Sequence, residues 1–174
     1  MNDSDNTAVW FGEMAHTPVG LLWLAHSPMG VVSIRFGGDA GSFGTEIEAL
    51  TGNTAVYDPA QVEPIRQQLQ AYFNRERTTF DLPLRWDLMT AFQQEALQHV
   101  NAIPYGQVRT YGDIAAALGD VGKSRAVGRA NATNPIPIIV PCHRVLGRDG
   151  KLHGYGGGLE NKARLLKLEG SWLL

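Results

Sequence analysis

A single cysteine, Cys142, stands among 174 residues, which excludes an internal disulfide. No Cys-x-x-Cys surrounds it that could hold a structural zinc or act as a thioredoxin-like dithiol. Long apolar runs are missing too. No stretch of about 18 residues escapes both charges and turn formers, so no membrane-spanning helix is expected. The start, MNDSDNTAVW, carries Asp3 and Asp5 where a secretion signal would be basic, and a cytoplasmic protein is the expectation. Glycine is plentiful at 20 residues, above the usual usage of about 7%, yet it forms no repeat, which excludes a collagen-like chain. What is present is 44% hydrophobic against 18% charged residues. A chain of this size buries about two-thirds of its unfolded surface, so it needs no covalent staple. Cys142 is then either an inert core thiol or a reagent.

The formal net charge of −2 hides an asymmetry. Residues 1–85 carry five Lys/Arg against ten Asp/Glu, whereas residues 86–174 carry ten against seven. Within the second half, Arg109, Lys123, Arg125, Arg129, Arg144, Arg148 and Lys151 face only Asp113, Asp120 and Asp149 between positions 109 and 151. A local excess of this kind is either a solvated face or a footprint for a polyanion.

The first half reads as strands followed by one or two helices. GLLWLAH (Gly20 to His26) and GVVSIRF (Gly30 to Phe36) are β-rich runs separated by Ser-Pro-Met, a hairpin signal. Val9 to Met14 is a third strand. Val62, Ile65, Leu69, Tyr72 and Phe73 recur at helical spacing, with Pro64 in the first turn and an end near Asn74. FDLPL, from Phe80 to Leu84, is a short extended segment suited to an edge or a linker. The domain boundary is placed near residue 85, giving domains 1–85 and 86–174.

In the second half, Phe92, Ala96, Leu97, Val100 and Ile103 define an amphipathic helix closed by Pro104. TYGDIAAALG forms a second, ended by Gly119, and SRAVGRANAT a third, which Ser124 is expected to cap. Two short helices joined by a Gly-containing turn make a helix-turn-helix pattern, although many such pairs never touch DNA. The small residues Ala126, Gly128, Ala130 and Ala132 let the last helix approach a surface closely. NPIPIIVPCHRV reads as a buried extended segment leading into a hairpin or wing. GYGGGLENKARLLKLEG supplies a glycine loop and a last helix. His143 and Arg144 adjoin Cys142 and are expected to lower its pKa, but neighbours in an extended segment point to opposite faces, so a Cys-His hydrogen bond needs a turn or a bridging water. Glu169 ends the last helix, where the helix dipole disfavours a carboxylate.

IPYGQVRTYGDIAAALG, SRAVGRA, NPIPIIVPCHRV and the closing GY-GGL-K--LL-LEG together resemble the O6-alkylguanine-DNA alkyltransferases. The match is close over residues 86–174 and loose over the N-terminal hairpin. The resemblance implies an α+β protein: an N-terminal ribonuclease-H-like α/β domain, then a winged-helix-like, helix-turn-helix domain. That second domain would bind double-stranded DNA by the minor groove, extrude O6-alkylguanine (with O4-alkylthymine a further candidate), and move the alkyl group irreversibly to a cysteine. It implies Cys142 as acceptor, His143 as the base acting through water, Glu169 as the carboxylate orienting it, Asn134 as the brace of the active-site turn and Tyr111 beside the flipped base. Arg125 would fill the vacated stack, with Ser124, Ala126, Gly128 and Arg129 on the DNA-facing helix. Pro137, Val145, Tyr155 and Gly156 would line the substrate pocket, the carbonyls of Cys142 and Val145 reading the guanine amino group. Some members carry Ser where this chain has Gly156. The zinc-binding cysteines of some relatives are absent, so no metal and no cofactor are expected, and a monomer is.

The chemistry of such a substrate fits these residue types. An sp3 carbon on an aryl ether oxygen calls for a soft nucleophile, which a thiolate is and a hydroxyl is not. Two other readings stay open: a non-catalytic damage-binding module, against which the intact PCHRV speaks, and a cysteine hydrolase, for which adjacent Cys and His are poorly placed. A zinc nucleobase deaminase is excluded by the missing P-C-x-x-C ligands.

Overall fold

The computed structural model describes residues 7–171, so the acidic start with Asp3 and Asp5 lies outside the described residues. The chain forms two compact units, Met1–Leu88 and Met89–Leu174. No helix among the described residues is long and apolar enough to cross a membrane.

In the first unit, β1 (Val9–Thr17), β2 (Gly20–Ser27) and β3 (Gly30–Phe36) form an antiparallel meander. The short β4 (Ala55–Tyr57) adds to β1 in parallel, giving the order β3-β2-β1-β4. Helix α1 (Ala40–Thr51) lays Phe43 and Ile47 against Val9, Phe11, Trp23, Ala25 and Val32 of the sheet. The sequence reading did not locate α1 or β4. Only Phe43 and Ile47 mark the buried stripe of AGSFGTEIEALT, and Gly and Thr weaken its helical propensity. The helix depends instead on its ends: the Asp39 carboxylate accepts from Ser42 N at 2.8 Å, and Gly52 closes it at φ 72°. Helix α2 (Glu63–Phe73) has Pro64 in its first turn, Asn74 as its C-cap, and Ile65, Leu69, Tyr72 and Phe73 buried. Gly12 lets β1 approach the 3-10 turn at Pro59–Val62, because a Cβ there would lie 2.7 Å from Pro59 Cα. The FDLPL segment ends in a bridge between Leu84 and Val31, with Val31 N donating to Pro83 O at 2.8 Å.

In the second unit, α3 (Ala91–Asn101), α4 (Tyr111–Ala117) and α5 (Ser124–Ala132) pack on one another. A reciprocal box opens α4: Thr110 Oγ1 accepts from Asp113 N, and Asp113 Oδ2 accepts from Thr110 N. Gly119, at φ 86°, ends it. Ser124 does not cap α5. A 3-10 turn at Val121–Lys123 leads directly into the helix, so Lys123 holds the cap position and the Ser124 hydroxyl donates back to Val121 O at 2.8 Å. The segment expected to lead into a hairpin or wing enters a parallel pair and then a turn. Strand β6 (Val145–Leu146) pairs in parallel with β5 (Arg109–Thr110), and the chain beyond it closes a turn through Gly147 N and Lys151 O. Helix α6 (Leu159–Leu168) buries Lys162, Leu165 and Leu166.

Candidate active site

The run NPIPIIVPCHRV is folded back on itself rather than extended. Asn134 Oδ1 accepts from Ile136 N and its Nδ2 donates to Val140 O, both at 2.9 Å, so one side chain clamps a six-residue loop. Inside that loop Ile138 takes φ 73° while completely buried. A β-branched residue rarely adopts that region, at a cost of about 1–3 kcal/mol, and the surrounding packing holds it there. The loop delivers the chain into a 3-10 turn, Cys142–Arg144, in which successive side chains diverge by a third of a turn instead of opposing one another.

Cys142 is 2% exposed. Burial pushes its thiol up to about 11, against the Asn134 side chain and the Lys162 ammonium, which pull it down. The expected lowering by adjacent basic residues does not occur, because neither serves the sulfur. Arg144 instead donates to both oxygens of Glu169, at 2.9 and 2.8 Å, and to Ile103 O at 2.7 Å, with its guanidinium over the Tyr105 ring. His143, fully buried, sets Nε2 2.8 Å from Glu169 Oε1. An ionised carboxylate only accepts, so Nε2 carries the hydrogen and Nδ1 the lone pair. Nδ1 is buried and meets no hydrogen-bonding group of the protein. Burial holds the imidazole below its ordinary pKa, partly offset by Glu169. Burial also pushes Glu169 up, but the bonds from His143 and Arg144 outweigh it and hold the carboxyl at about 2. The unit is therefore a neutral imidazole, oriented by a carboxylate that is itself fixed by an arginine.

Tyr111, at the start of α4, directs its hydroxyl to His153 O at 3.4 Å. Its phenol is raised mainly by burial, with Asn131 opposing. Behind it, the fully buried Lys162 donates to Val145 O at 2.7 Å and His153 O at 2.9 Å. Burial lowers this ammonium to about 8. In front lies a groove of about 990 Å³ whose wall includes Tyr111, Val121, Ser124, Arg125, Gly128 and Arg148. Arg125 is exposed and makes no ion pair among the described residues.

Residues 91–171 match the family model "6-O-methylguanine DNA methyltransferase, DNA binding domain", and residues 11–86 match "6-O-methylguanine DNA methyltransferase, ribonuclease-like domain". The methylated-DNA-protein-cysteine methyltransferase of Mycobacterium tuberculosis is 53% identical over 115 residues, 66% of this chain and 68% of that protein. The protein of the same name from Mycolicibacterium paratuberculosis is 44% identical over 154 residues, 88% of each chain. This chain belongs to the methylated-DNA-protein-cysteine methyltransferase family. Its structure is similar to the crystal structure of Mycobacterium tuberculosis OGT in complex with DNA, with a TM-score of 0.79 at 40% identity, covering 93% of each chain.

For a member of the methyltransferase family, the structure brings the buried Cys142, His143, Glu169 and Val145 together with the half-buried Asn134, and Tyr111 lines the groove. Pro137 is buried in the clamped loop, bridged to Val140. Ser124, Arg125 and Gly128 share the groove with Tyr111, whereas Ala126 and Arg129 line a separate shallow hollow with Phe92 and Thr133. Tyr155 and Gly156 lie in the loop before α6, where Gly158 N donates to Tyr155 O at 2.9 Å. Arg144, counted above in the local excess of basic residues, belongs to neither a solvated face nor a polyanion footprint but is buried on Glu169. Two further polar groups escaped the sequence reading. Lys162 shares the buried stripe of α6 with Leu165, Leu166 and Glu169, spaced i, i+3, i+4, i+7. Asn131 shares that of α5 with Val127 and Ala130. A polar residue on an apolar stripe is the signal that would have found both. Among the described residues there is no group of three or more His, Cys, Asp or Glu that could hold a metal.

Proposed function

We propose that Cys142 is the acceptor to which this DNA-repair methyltransferase moves the alkyl group of O6-alkylguanine in double-stranded DNA. The chain acts in DNA repair by alkyl transfer to cysteine, and it binds damaged DNA. The observation that carries the assignment to Cys142 is the adjacent imidazole, held by Glu169 with its Nδ1 lone pair unengaged, beside the only thiol in the chain.

The buried thiol is protonated at neutral pH, so transfer begins with proton removal. Through a bridging water, His143 Nδ1 takes the proton, and Glu169 stabilises the imidazolium. The thiolate attacks the alkyl carbon in line with O6. A carbon-sulfur bond forms, the carbon-oxygen bond breaks, and its electron pair leaves on the guanine. A hydrogen bond from the Tyr111 hydroxyl to the base reduces the charge that develops there. The product is a thioether, a poor leaving group, and no second cysteine exists to regenerate the thiol. One turnover per chain follows.

The groove supports the DNA part of the reading. The small residues of α5 permit close approach to the minor groove, and Arg125 inserts in place of the extruded nucleotide, offsetting an unstacking cost of a few kcal/mol. We assign this work to residues 86–174 and the ribonuclease-H-like fold to residues 1–85, in a monomeric, cytoplasmic protein. Intact mass after incubation with an alkylated duplex tests the core of the proposal. One alkyl increment, on the peptide bearing Cys142 and lost in Cys142→Ala, is expected. An unmodified protein with bound duplex would mean a binding module, and an adduct elsewhere would remove Cys142 from the role.

A further inference from the structure

The chain between β6 and α6 makes a small clasp that no step of the transfer uses. Asp149 Oδ1 accepts from Lys151 N at 3.0 Å and lies 2.9 Å from His153 Nε2. An ionised carboxylate only accepts, so Nε2 carries the hydrogen. That bond, with the one from Lys151, holds the Asp149 carboxyl below its usual range. The imidazole sits on Gly147. A Cβ at that position would lie 2.1 Å from His153 Cδ2 and 2.5 Å from Nε2, although the Gly147 backbone lies outside the positive-φ region. Glycine is required there by the ring, not by the turn. The His153 and Asp149 side chains are 54% and 47% exposed, and a pair so exposed contributes little to stability. What it fixes is the place of residue 153, whose carbonyl accepts from the Lys162 ammonium at 2.9 Å and from the Tyr111 hydroxyl at 3.4 Å.

We infer that Gly147, Asp149 and His153 form a positioning device for Tyr111, setting through the His153 carbonyl where the phenol waits before it donates to the base, an assignment that rests on the role proposed above for Tyr111. The phenol has a single hydrogen, and it is engaged on the His153 carbonyl. Donation to the base therefore exchanges one acceptor for another. At 3.4 Å the resting bond is well beyond the most common O–H···O separation of about 2.7–2.8 Å, so little is lost when it breaks. The carbonyl keeps the Lys162 ammonium when the hydroxyl turns away, so no acceptor is left unpaired. Residue 153 is held from within by the buried Lys162 and from the surface by the clasp. Without the clasp its surface side is free to drift, and the resting place of the Tyr111 hydroxyl drifts with it.

Single-turnover transfer from an alkylated duplex and from free O6-benzylguanine tests this. Gly147→Ala expels the ring and leaves both partners in place, whereas His153→Ala removes the ring itself. Each is expected to slow transfer by about 3- to 10-fold on both substrates, the effect of one hydrogen bond, with duplex affinity and melting midpoint little changed. Gly147→Ala combined with His153→Ala should be no slower than either alone, because the added methyl then meets no imidazole. His153→Gln, whose amide can still donate to Asp149, should recover most of the rate. The deciding background is Tyr111→Phe, in which His153→Ala should cost nothing further. A loss that persists there would show a general loosening of the loop and overturn the inference. A loss seen only as weaker duplex binding, and absent with the free base, would make His153 a DNA contact and overturn it too, as would an unchanged rate in His153→Ala. If Tyr111→Phe alone reacts at the native rate, the role proposed for Tyr111 fails and the inference with it; if the native protein transfers from neither substrate, the parent function fails instead.

Discussion

Glu169 illustrates how far one side chain departs from what its position in the chain suggests. At the end of a helix it opposes the dipole, and the two partners that reverse the balance, His143 and Arg144, come from a turn 25 residues away in sequence. Because Glu169 holds the imidazole proposed to take the proton, the two are expected to act as a unit. His143→Ala and Glu169→Gln should each slow transfer by about 100-fold or more. The double variant should fall far short of the product of the two effects. Additive losses in rapid-quench measurements would leave Glu169 a structural carboxylate. The pH dependence has a definite sign. Glu169 has its folded pKa depressed, so its stabilisation is complete above its ordinary value of 4.5 and is lost as pH falls toward about 2. That interval corresponds to on the order of 3 kcal/mol. His143 is also depressed, so it too favours the folded state above its ordinary 6.5 and opposes it as pH falls below. The native protein should lose stability in two stages on acidification, and Glu169→Gln should lack the lower one in urea titrations at stepped pH.

At the scale of elements, the helix pair and the glycine loop are the parts whose proposed roles in reaching the buried thiol can be tested separately. Arg125 is exposed on α5 with no ion pair among the described residues, on the same groove as Tyr111. If it substitutes for the extruded base, Arg125→Ala should slow repair in duplex DNA far more than transfer from free O6-benzylguanine, which requires no extrusion. Equal losses on both substrates would count against insertion. Gly156 has only Ala132 O, at 3.9 Å, near where a Cβ would stand, so Gly156→Ser is accommodated. If that loop closes over the alkyl pocket, as proposed, the serine should change the ratio of benzyl to methyl transfer; an unchanged ratio would make the loop a plain connection to α6. These elements differ in how openly the sequence declares them. α2, α3 and the hairpin of β2 and β3 are legible because apolar spacing and Pro or Gly punctuation agree. The turn at Cys142 is not, because it depends on Asn134 bonding across six residues and on Ile138 held at positive φ. The Arg144 bonds to Glu169 are equally hidden, since they join residues that meet only after α6 docks. PCHRV itself marks the acceptor from sequence alone, but the state of its thiol depends on burial, which reverses the shift that the adjacent charges suggest.

Over the whole molecule, a protein used once is left with an adduct in a site built for a bare thiol. Cys142 is 2% exposed and lies in a turn whose neighbours, from Ile136 to Val145, are all buried. Adding one to several carbons there overpacks a core, which costs about 1–3 kcal/mol. It would also displace the bridging water proposed to link the sulfur to His143 Nδ1, leaving that buried acceptor unsatisfied. Against a total stability of about 5–15 kcal/mol, that loss is enough to raise the unfolded fraction by one to two orders of magnitude and expose the spent chain to proteolysis. Each kcal/mol corresponds to about 2–4 °C in Tm for a chain of this size. Alkylated protein freed from DNA should therefore melt several degrees below the unmodified form, and the benzyl adduct, which adds more volume, below the methyl adduct. A midpoint equal to or above that of the unmodified protein would show that the pocket accommodates the adduct without strain, and would rule out overpacking as the route by which the used protein is cleared.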